Sequence, residues 1–225
     1  MSELLTTQMK FDEIMKDVKG HFRGENEPEG HPLLNGTYDK IVQATGRKCQ
    51  PLKMMEIGMN AGHSVVAYLE NIPDLVVHAV DICEHPYVKD CAEALEAEYG
   101  DRFQFGQCDS QTINKDSLIG YDLVRIDGGH HISNVTSDYD KCKVSGVRWI
   151  IFDDMEMVQI RELVHHVVKS PNHPYKHIGR STYANSDGGN STQIVLERFD
   201  FDTVHPTRNV SFKLYSRSHV EDEEV

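Results

Sequence analysis

From Met54 onward the apolar positions fall into short runs separated by longer amphipathic stretches, the rhythm of crossover units laid on a parallel sheet. The runs predict strands at Lys53–Ile57, Val76–Val80, Phe103–Gly106, Leu123–Ile126, Trp149–Phe152, Tyr175–Arg180 and Gln193–Phe199. Helical spacing fills the gaps at Ser64–Asn71, Pro86–Tyr99, Asn134–Val144 and Met157–Lys169. No helical stretch separates the last two strands, and the turn between them holds Asn185, Ser186, Asp187, Gly188, Gly189 and Asn190. They are expected to pair as an antiparallel hairpin ending an otherwise parallel sheet. Ahead of the sheet, Leu4, Leu5, Met9, Ile14, Met15 and Val18 recur at helical spacing until Gly20. A polar loop covers residues 21–33 and reads as a surface connection or, if it lies against a site, a lid. A second helix is expected over Leu34–Thr45, and the chain ends in an extended segment, Ser211–Tyr215, with an acidic tail. The expected organisation is one domain, with a helical extension at 1–50, a core at 51–200 and a tail at 201–225.

Composition narrows the partners. The net charge of −13 would repel a nucleic-acid backbone or an anionic membrane surface, so a neutral or small substrate is expected. Five cysteines without a Cys-x-x-Cys pair suit reduced thiols in a cytoplasmic setting better than a disulfide framework. No stretch approaches the roughly 18 apolar residues that span a bilayer, and nothing near Met1 reads as a targeting segment. An apolar N-terminal helix is consistent with a homo-oligomer and equally with packing on its own sheet.

Two groups of residues then carry chemistry. The first strand runs into Glu56-Ile57-Gly58-Met59-Asn60-Ala61-Gly62-His63-Ser64, a turn with two glycines ahead of a helix. Glycine permits a tight turn and close approach of a ligand to the backbone. Asn60 stands where a dinucleotide fingerprint needs its middle glycine, which disfavours a nicotinamide cofactor. The second strand ends at Asp81, an acid placed to accept a ribose diol, and the third is followed by Asp109 and Ser110, where an amino group of adenine is a fitting donor. Each acid alone is as readily a structural cap. In order, at successive strand ends and without nearby Lys or Arg, they point to an adenosine ligand that carries no phosphates.

The second group is Ile126-Asp127-Gly128-Gly129-His130-His131 with the pair Asp153-Asp154, each just past a buried strand. The C-terminal edge of such a sheet is where ligands bind. Asp127, Asp153 and Asp154 brought together would suit a hard cation such as Mg²⁺ or Mn²⁺, although any one of them alone reads first as a cap or turn residue. A histidine three residues after the first acid adds a base that titrates near neutrality. His131 is adjacent and is expected to point elsewhere, as a supporting or backup base.

Taken together, these motifs resemble class I S-adenosylmethionine-dependent methyltransferases over about residues 50–200. The likeness implies an α/β, Rossmann-like, doubly wound sheet of seven strands, mostly parallel, with an antiparallel terminal hairpin and an N-terminal helical extension. It implies a methionine-binding loop at Glu56, Gly58, Asn60, Gly62 and Ser64, a ribose acid at Asp81, and adenine contacts at Asp109 and Ser110. The acid clusters are similar to those of metal-dependent sugar O-methyltransferases of the macrolide and glycoside type. That similarity implies Asp127, Asp153 and Asp154 as ligands of Mg²⁺ or Mn²⁺, His130 as general base, and a sugar hydroxyl such as that of a rhamnose unit in a glycoside or glycan as acceptor. That type carries Glu-Asp where this chain has Asp153-Asp154, and catechol-type relatives carry Asp-Asn and a lysine base. A catechol or phenol acceptor, and a non-catalytic module that binds S-adenosylmethionine, are the alternatives.

Overall fold

The computed structural model describes residues 52–72, 74–171, 173–184 and 190–199. The expectations for residues 1–50, the hairpin tip at 185–189 and the tail at 201–225 lie outside the described residues. Seven strands form one sheet: β1 (Leu52–Ile57), β2 (Leu75–Asp81), β3 (Phe103–Gln107), β4 (Leu123–Ile126), β5 (Trp149–Phe152), β6 (Tyr175–Ala184) and β7 (Asn190–Arg198). Their order is β3-β2-β1-β4-β5-β7-β6. The first five pair in parallel, and β7 runs antiparallel to both β5 and β6. Four helices connect them: α1 (His63–Asn71), α2 (Tyr87–Tyr99), α3 (Ile132–Ser145) and α4 (Val158–Lys169).

Alternation along the strands sends two sets of side chains to two helical layers. Met54, Val77, Ala79, Leu123, Trp149 and Ile151 pack with Val65, Tyr68 and Leu69 of α1 and Val88, Cys91 and Leu95 of α2. On the opposite face Met55, Ile57, Val124, Ile126, Ile150 and Phe152 meet Val135 and Tyr139 of α3 and Ile160, Val164 and Val167 of α4. Every residue of β4 and β5 is buried, as strands covered on both faces must be. Burying a side chain the size of Phe152 contributes roughly 1.5–3 kcal/mol, so these two strands anchor the acid-bearing turns that follow them.

The sheet matches the expected doubly wound fold, with small shifts. The β6 strand runs four residues past the expected Arg180, with an irregular register at His177/Gly179. Three 3₁₀ turns, Gly100–Arg102, Ser110–Thr112 and Lys115–Leu118, had no sequence signal because one turn is too short to show a period. The chain moves outward from β1 through β2 to β3, then returns to place β4 on β1's other edge. This reversal opens a crevice past the C-terminal ends of β1 and β4. Among the described residues no helix is long and apolar enough to cross a membrane.

Candidate active site

The turn after β1 is built against the turn after β4. Asp127 N–H donates to the Ile57 carbonyl at 2.9 Å, and Gly58 N–H donates to the Val80 carbonyl at 2.8 Å. Gly58 has φ +87, and a Cβ built on it would lie 2.1 Å from the Asp127 carbonyl oxygen. Glycine is therefore demanded there by a neighbouring main chain as well as by conformation. Asn60, in the left-handed region at φ 52, accepts the Tyr87 hydroxyl on its side-chain oxygen at 2.6 Å. Tyr87 itself stacks on His85 with ring centroids 5.2 Å apart. Gly62 caps α1, accepting the Val66 N–H at 2.9 Å.

Asp81 holds this turn in place. Its Oδ2 accepts the N–H groups of Met59 at 3.0 Å and Asn60 at 2.9 Å, and its Oδ1 accepts that of Cys83 at 2.7 Å. A carboxylate offers about four lone-pair directions, so roughly one is left for a ligand hydroxyl. Ile82 beside it is 58 % exposed, an apolar surface at the cleft on which a base plane can lie. Asp109 is exposed and caps its 3₁₀ turn through Gln111 N–H at 2.9 Å. Ser110 donates its hydroxyl at 3.0 Å to buried Asp138 of α3, which also accepts from Gln111 Nε2 at 3.3 Å and Lys141 Nζ at 3.0 Å. The turn expected to meet adenine is thus tethered to α3, the helix that follows His130 and His131.

The acid side has a different character. Arg125, fully buried in β4, lies beside Glu56 in register and forms ion pairs with Glu56, Asp153 and, at 2.6 Å, Asp127 Oδ2. Ser64 donates to Glu56 at 2.5 Å, and Gln193 Nε2 donates to Asp153 at 2.9 Å. Asp154 stands in the left-handed region at φ 56 and takes His130 Nε2 on its Oδ2 at 2.8 Å. Gln159 of α4 reaches the His130 carbonyl at 3.4 Å.

Electrostatics follow from this crowding. Burial pushes the Asp127 carboxyl well above its ordinary value; Arg125 opposes the shift, and Asp153, Asp154 and Glu56 add to it. The hydrogen bond that His130 donates to Asp154 raises the imidazole pKa against its partial burial, with the charges of Asp154, Asp127 and Asp153 adding to the rise. For Asp154, burial is the largest single influence and acts upward, but the hydrogen bond and charge of His130 outweigh it and hold the carboxyl below its usual range. Among the described residues four carboxyl groups, Glu56, Asp127, Asp153 and Asp154, meet two basic groups, Arg125 and His130.

A cleft of about 690 Å³ joins the two sides. Gly58, Asn60, Gly62, Ser64, Asp81, Asp109 and Ser110 line it, and so do Asp127, His130, His131 and Asp154. His131, expected to point away, is at the cleft because it caps α3, its carbonyl accepting from Asn134 and Val135 while its side chain remains exposed. Two expected members stand behind the wall instead: Glu56 and Asp153 are buried on Arg125. Glu56, Arg125, Asp127 and Asp153 share one face of the sheet, and Arg125 and Gln193 draw Asp153 off the cleft, whereas the left-handed backbone at Asp154 turns its carboxylate to His130. One donor atom each of Asp127, His130 and Asp154 lies within 4.8 Å of the other two. Ligands sharing an ion at about 2.1 Å are about 3–4 Å apart, so a slight contraction would close this group on a divalent cation. The excess of acidic over basic groups fits the same occupant.

Residues 55–155 match the sequence model of a family described as a methyltransferase domain, a segment that includes the glycine turn, Asp81, Asp109 and both acid clusters. No curated protein matches the chain. The fold is similar to that of a Klebsiella pneumoniae protein provisionally assigned as an O-methyltransferase (TM-score 0.61, 15 % identity, 88 % of this chain and 91 % of that one). It is also similar to human methyltransferase 10 domain containing protein (TM-score 0.53, 12 % identity, 75 % and 81 % covered). A third similar structure is the N-methyltransferase NodS from Bradyrhizobium japonicum, solved with S-adenosyl-L-homocysteine (TM-score 0.51, 8 % identity, 84 % and 98 % covered). At these identities the likeness is one of fold. Joined to the family match, it supports a class I S-adenosylmethionine-dependent methyltransferase.

Proposed function

We propose that this protein is a metal-dependent O-methyltransferase that moves the methyl group of S-adenosylmethionine to a sugar hydroxyl, with a deoxyhexose such as rhamnose in a glycoside or glycan as the acceptor class. The observation that carries the reading is the meeting of Asp127, His130 and Asp154 at one end of a cleft whose other end is the glycine turn, Asp81 and Asp109. The donor end suits an adenosine without phosphates. Asp81 retains an acceptor direction for a ribose hydroxyl, Ile82 offers an apolar surface for the base, and an acid-lined wall would repel a pyrophosphate.

Asp127 and Asp154 are the residues that would hold Mg²⁺ or Mn²⁺, which when bound lowers the pKa of a coordinated hydroxyl and orients it. His130 is assigned as the base rather than as a third ligand, because a hard ion prefers oxygen and an alcohol must lose its proton as the new bond forms. The hydroxyl oxygen attacks the methyl carbon, the carbon–sulfur bond breaks, and the sulfur keeps the electron pair to leave as the neutral thioether S-adenosylhomocysteine. The hydroxyl proton passes to His130. With Nε2–H donated to Asp154, neutral His130 presents Nδ1 as its accepting atom. The imidazolium then formed is stabilised by Asp154, whose hydrogen bond already raises the ring's proton affinity. Such a positioned base is typically worth about 10²- to 10⁴-fold in rate.

The test is titration of S-adenosylhomocysteine into the protein, followed by a methyl-transfer screen of rhamnosides and catechols with and without chelator. Donor-product binding with chelator-sensitive transfer to a rhamnoside is the expected result. Transfer to catechols alone would move the acceptor class to phenols, and no nucleoside binding would remove the methyltransferase reading.

A further inference from the structure

Arg125 is a guanidinium fully buried in the middle of a parallel sheet, an expensive placement unless its charge has a defined use. Its partners come from the ends of three different strands: Glu56 from β1, Asp127 just past β4, and Asp153 just past β5. Two further residues extend the set. Ser64, in the first turn of α1, binds Glu56, and Gln193 of β7 binds the same Asp153 oxygen that Arg125 takes. One cation therefore ties the donor turn to both acid turns.

The division of labour within Arg125 is specific. One Nη atom serves Glu56 and Asp127 Oδ2, and the other holds Asp153. Asp153 is 3 % exposed and off the cleft, whereas Asp127 keeps 22 % of its side chain accessible and lines it. Asp153 Oδ1 meanwhile accepts the Asp154 N–H at 2.9 Å, at the residue whose left-handed backbone turns its carboxylate to His130. Pulling Asp153 onto Arg125 thus sets the backbone from which Asp154 reaches the cleft.

We propose that Arg125 is a positioning residue: it withdraws Asp153 from the cation site, orients Asp127 by one oxygen, and fixes both relative to the donor turn. The cation-binding set is then Asp127 and Asp154, not the adjacent pair Asp153-Asp154. This rests on the metal-dependent reading above and deepens it. A lysine cannot replace the arginine, because a single ammonium lacks the planar fork that serves two carboxylate groups in two directions.

The experiment compares Mn²⁺ binding, followed by electron paramagnetic resonance of free Mn²⁺, in the full-length protein and in Arg125→Lys, Asp153→Asn and Asp127→Asn. Binding of S-adenosylhomocysteine and thermal midpoints are measured in parallel. The expected pattern is a loss of Mn²⁺ affinity of tenfold or more in R125K with S-adenosylhomocysteine affinity within about threefold, a loss of no more than about tenfold in D153N, which keeps an Oδ1 acceptor for the Asp154 N–H, and a loss above a hundredfold in D127N. Because R125K preserves the charge, its fold should hold; if it does not, the D153N and D127N comparison still decides the ligand set. Wild-type Mn²⁺ affinity in R125K, or a loss in D153N equal to that in D127N, would overturn this assignment alone. Absence of Mn²⁺ binding by the wild-type protein would overturn the metal reading and this assignment with it.

Discussion

The two ends of the cleft solve the problem of polar groups near a sheet edge in opposite ways. At the donor end, Asp81 takes three backbone N–H groups, Asn60 takes the Tyr87 hydroxyl, and Ser110 is tethered to Asp138. Side chains and backbone there largely satisfy one another, which makes a rigid mould. At the acid end, among the described residues, four carboxyl groups meet one arginine and one histidine, so acidic groups outnumber basic ones. A self-satisfied loop is ready for a ligand that adds few new charges, whereas an unbalanced one asks for a cation. The lesson is that a binding site can be read from what its residues still lack.

The largest effect should come from joining the two ends wrongly. Gly58→Ala would drive a Cβ into the Asp127 main chain, so we expect destabilisation of about 3–5 kcal/mol together with loss of both nucleoside and metal binding. A denaturant titration checks the first and calorimetry the second. Normal stability in that variant would show that the two turns are not packed as described. Next in size is Asp127→Ala, which should abolish chelator-sensitive turnover while leaving S-adenosylhomocysteine affinity within about threefold. The same variant should lose the stabilisation that Mn²⁺ gives the wild type, about 2.7 kcal/mol when the ion is at a hundred times its Kd. A smaller effect is expected of Asp81→Ala, which should weaken S-adenosylhomocysteine about 10- to 100-fold by freeing the turn amides, with Mn²⁺ affinity nearly unchanged. If D81A weakened both ligands equally, the two ends would not be the separable units described here.

How far this was legible in the sequence differs between the same two regions. Apolar runs and helical spacing located all seven strands and four helices, since burial on both faces leaves a strong pattern. The order of glycines and acids at the donor end was equally plain, but the tether from Ser110 to Asp138 was not, because it joins residues far apart in the chain. At the acid end, Asp153 and Asp154 look alike in a sequence. What separates them is the left-handed backbone at Asp154, which is not visible without the fold. One signal was present and passed over: Arg125 is a charge inside an apolar run, and a buried charge needs partners. Period-two alternation already placed it on the same face as Asp127.

The smallest effect expected is a pH dependence, and it separates the two ends without altering the donor side. His130 has a raised pKa, so the stability it contributes with Asp154 is fully present below its unfolded value near about 6.5 and is lost as pH rises through the folded value. Asp154, held low, contributes above its unfolded value near about 3.8, and that part is lost only as pH falls through its folded pKa. Asp127 acts oppositely. Its raised pKa makes its ionisation unfavourable to the folded state, so its penalty begins near about pH 4 and grows as pH rises toward its folded value. Against the opposite slope of His78, His173 and His177, whose lowered pKa values favour the folded state as pH rises, the acid-end contributions of His130 and Asp127 both pull the thermal midpoint down between about pH 6 and about pH 8 in chelator. His130→Gln should remove part of that slope, and saturating Mn²⁺ should remove most of it by supplying the missing positive charge. A slope that persisted unchanged in H130Q with Mn²⁺ present would place the titrating group elsewhere, and the charge imbalance at the acid end would no longer distinguish it from the donor end.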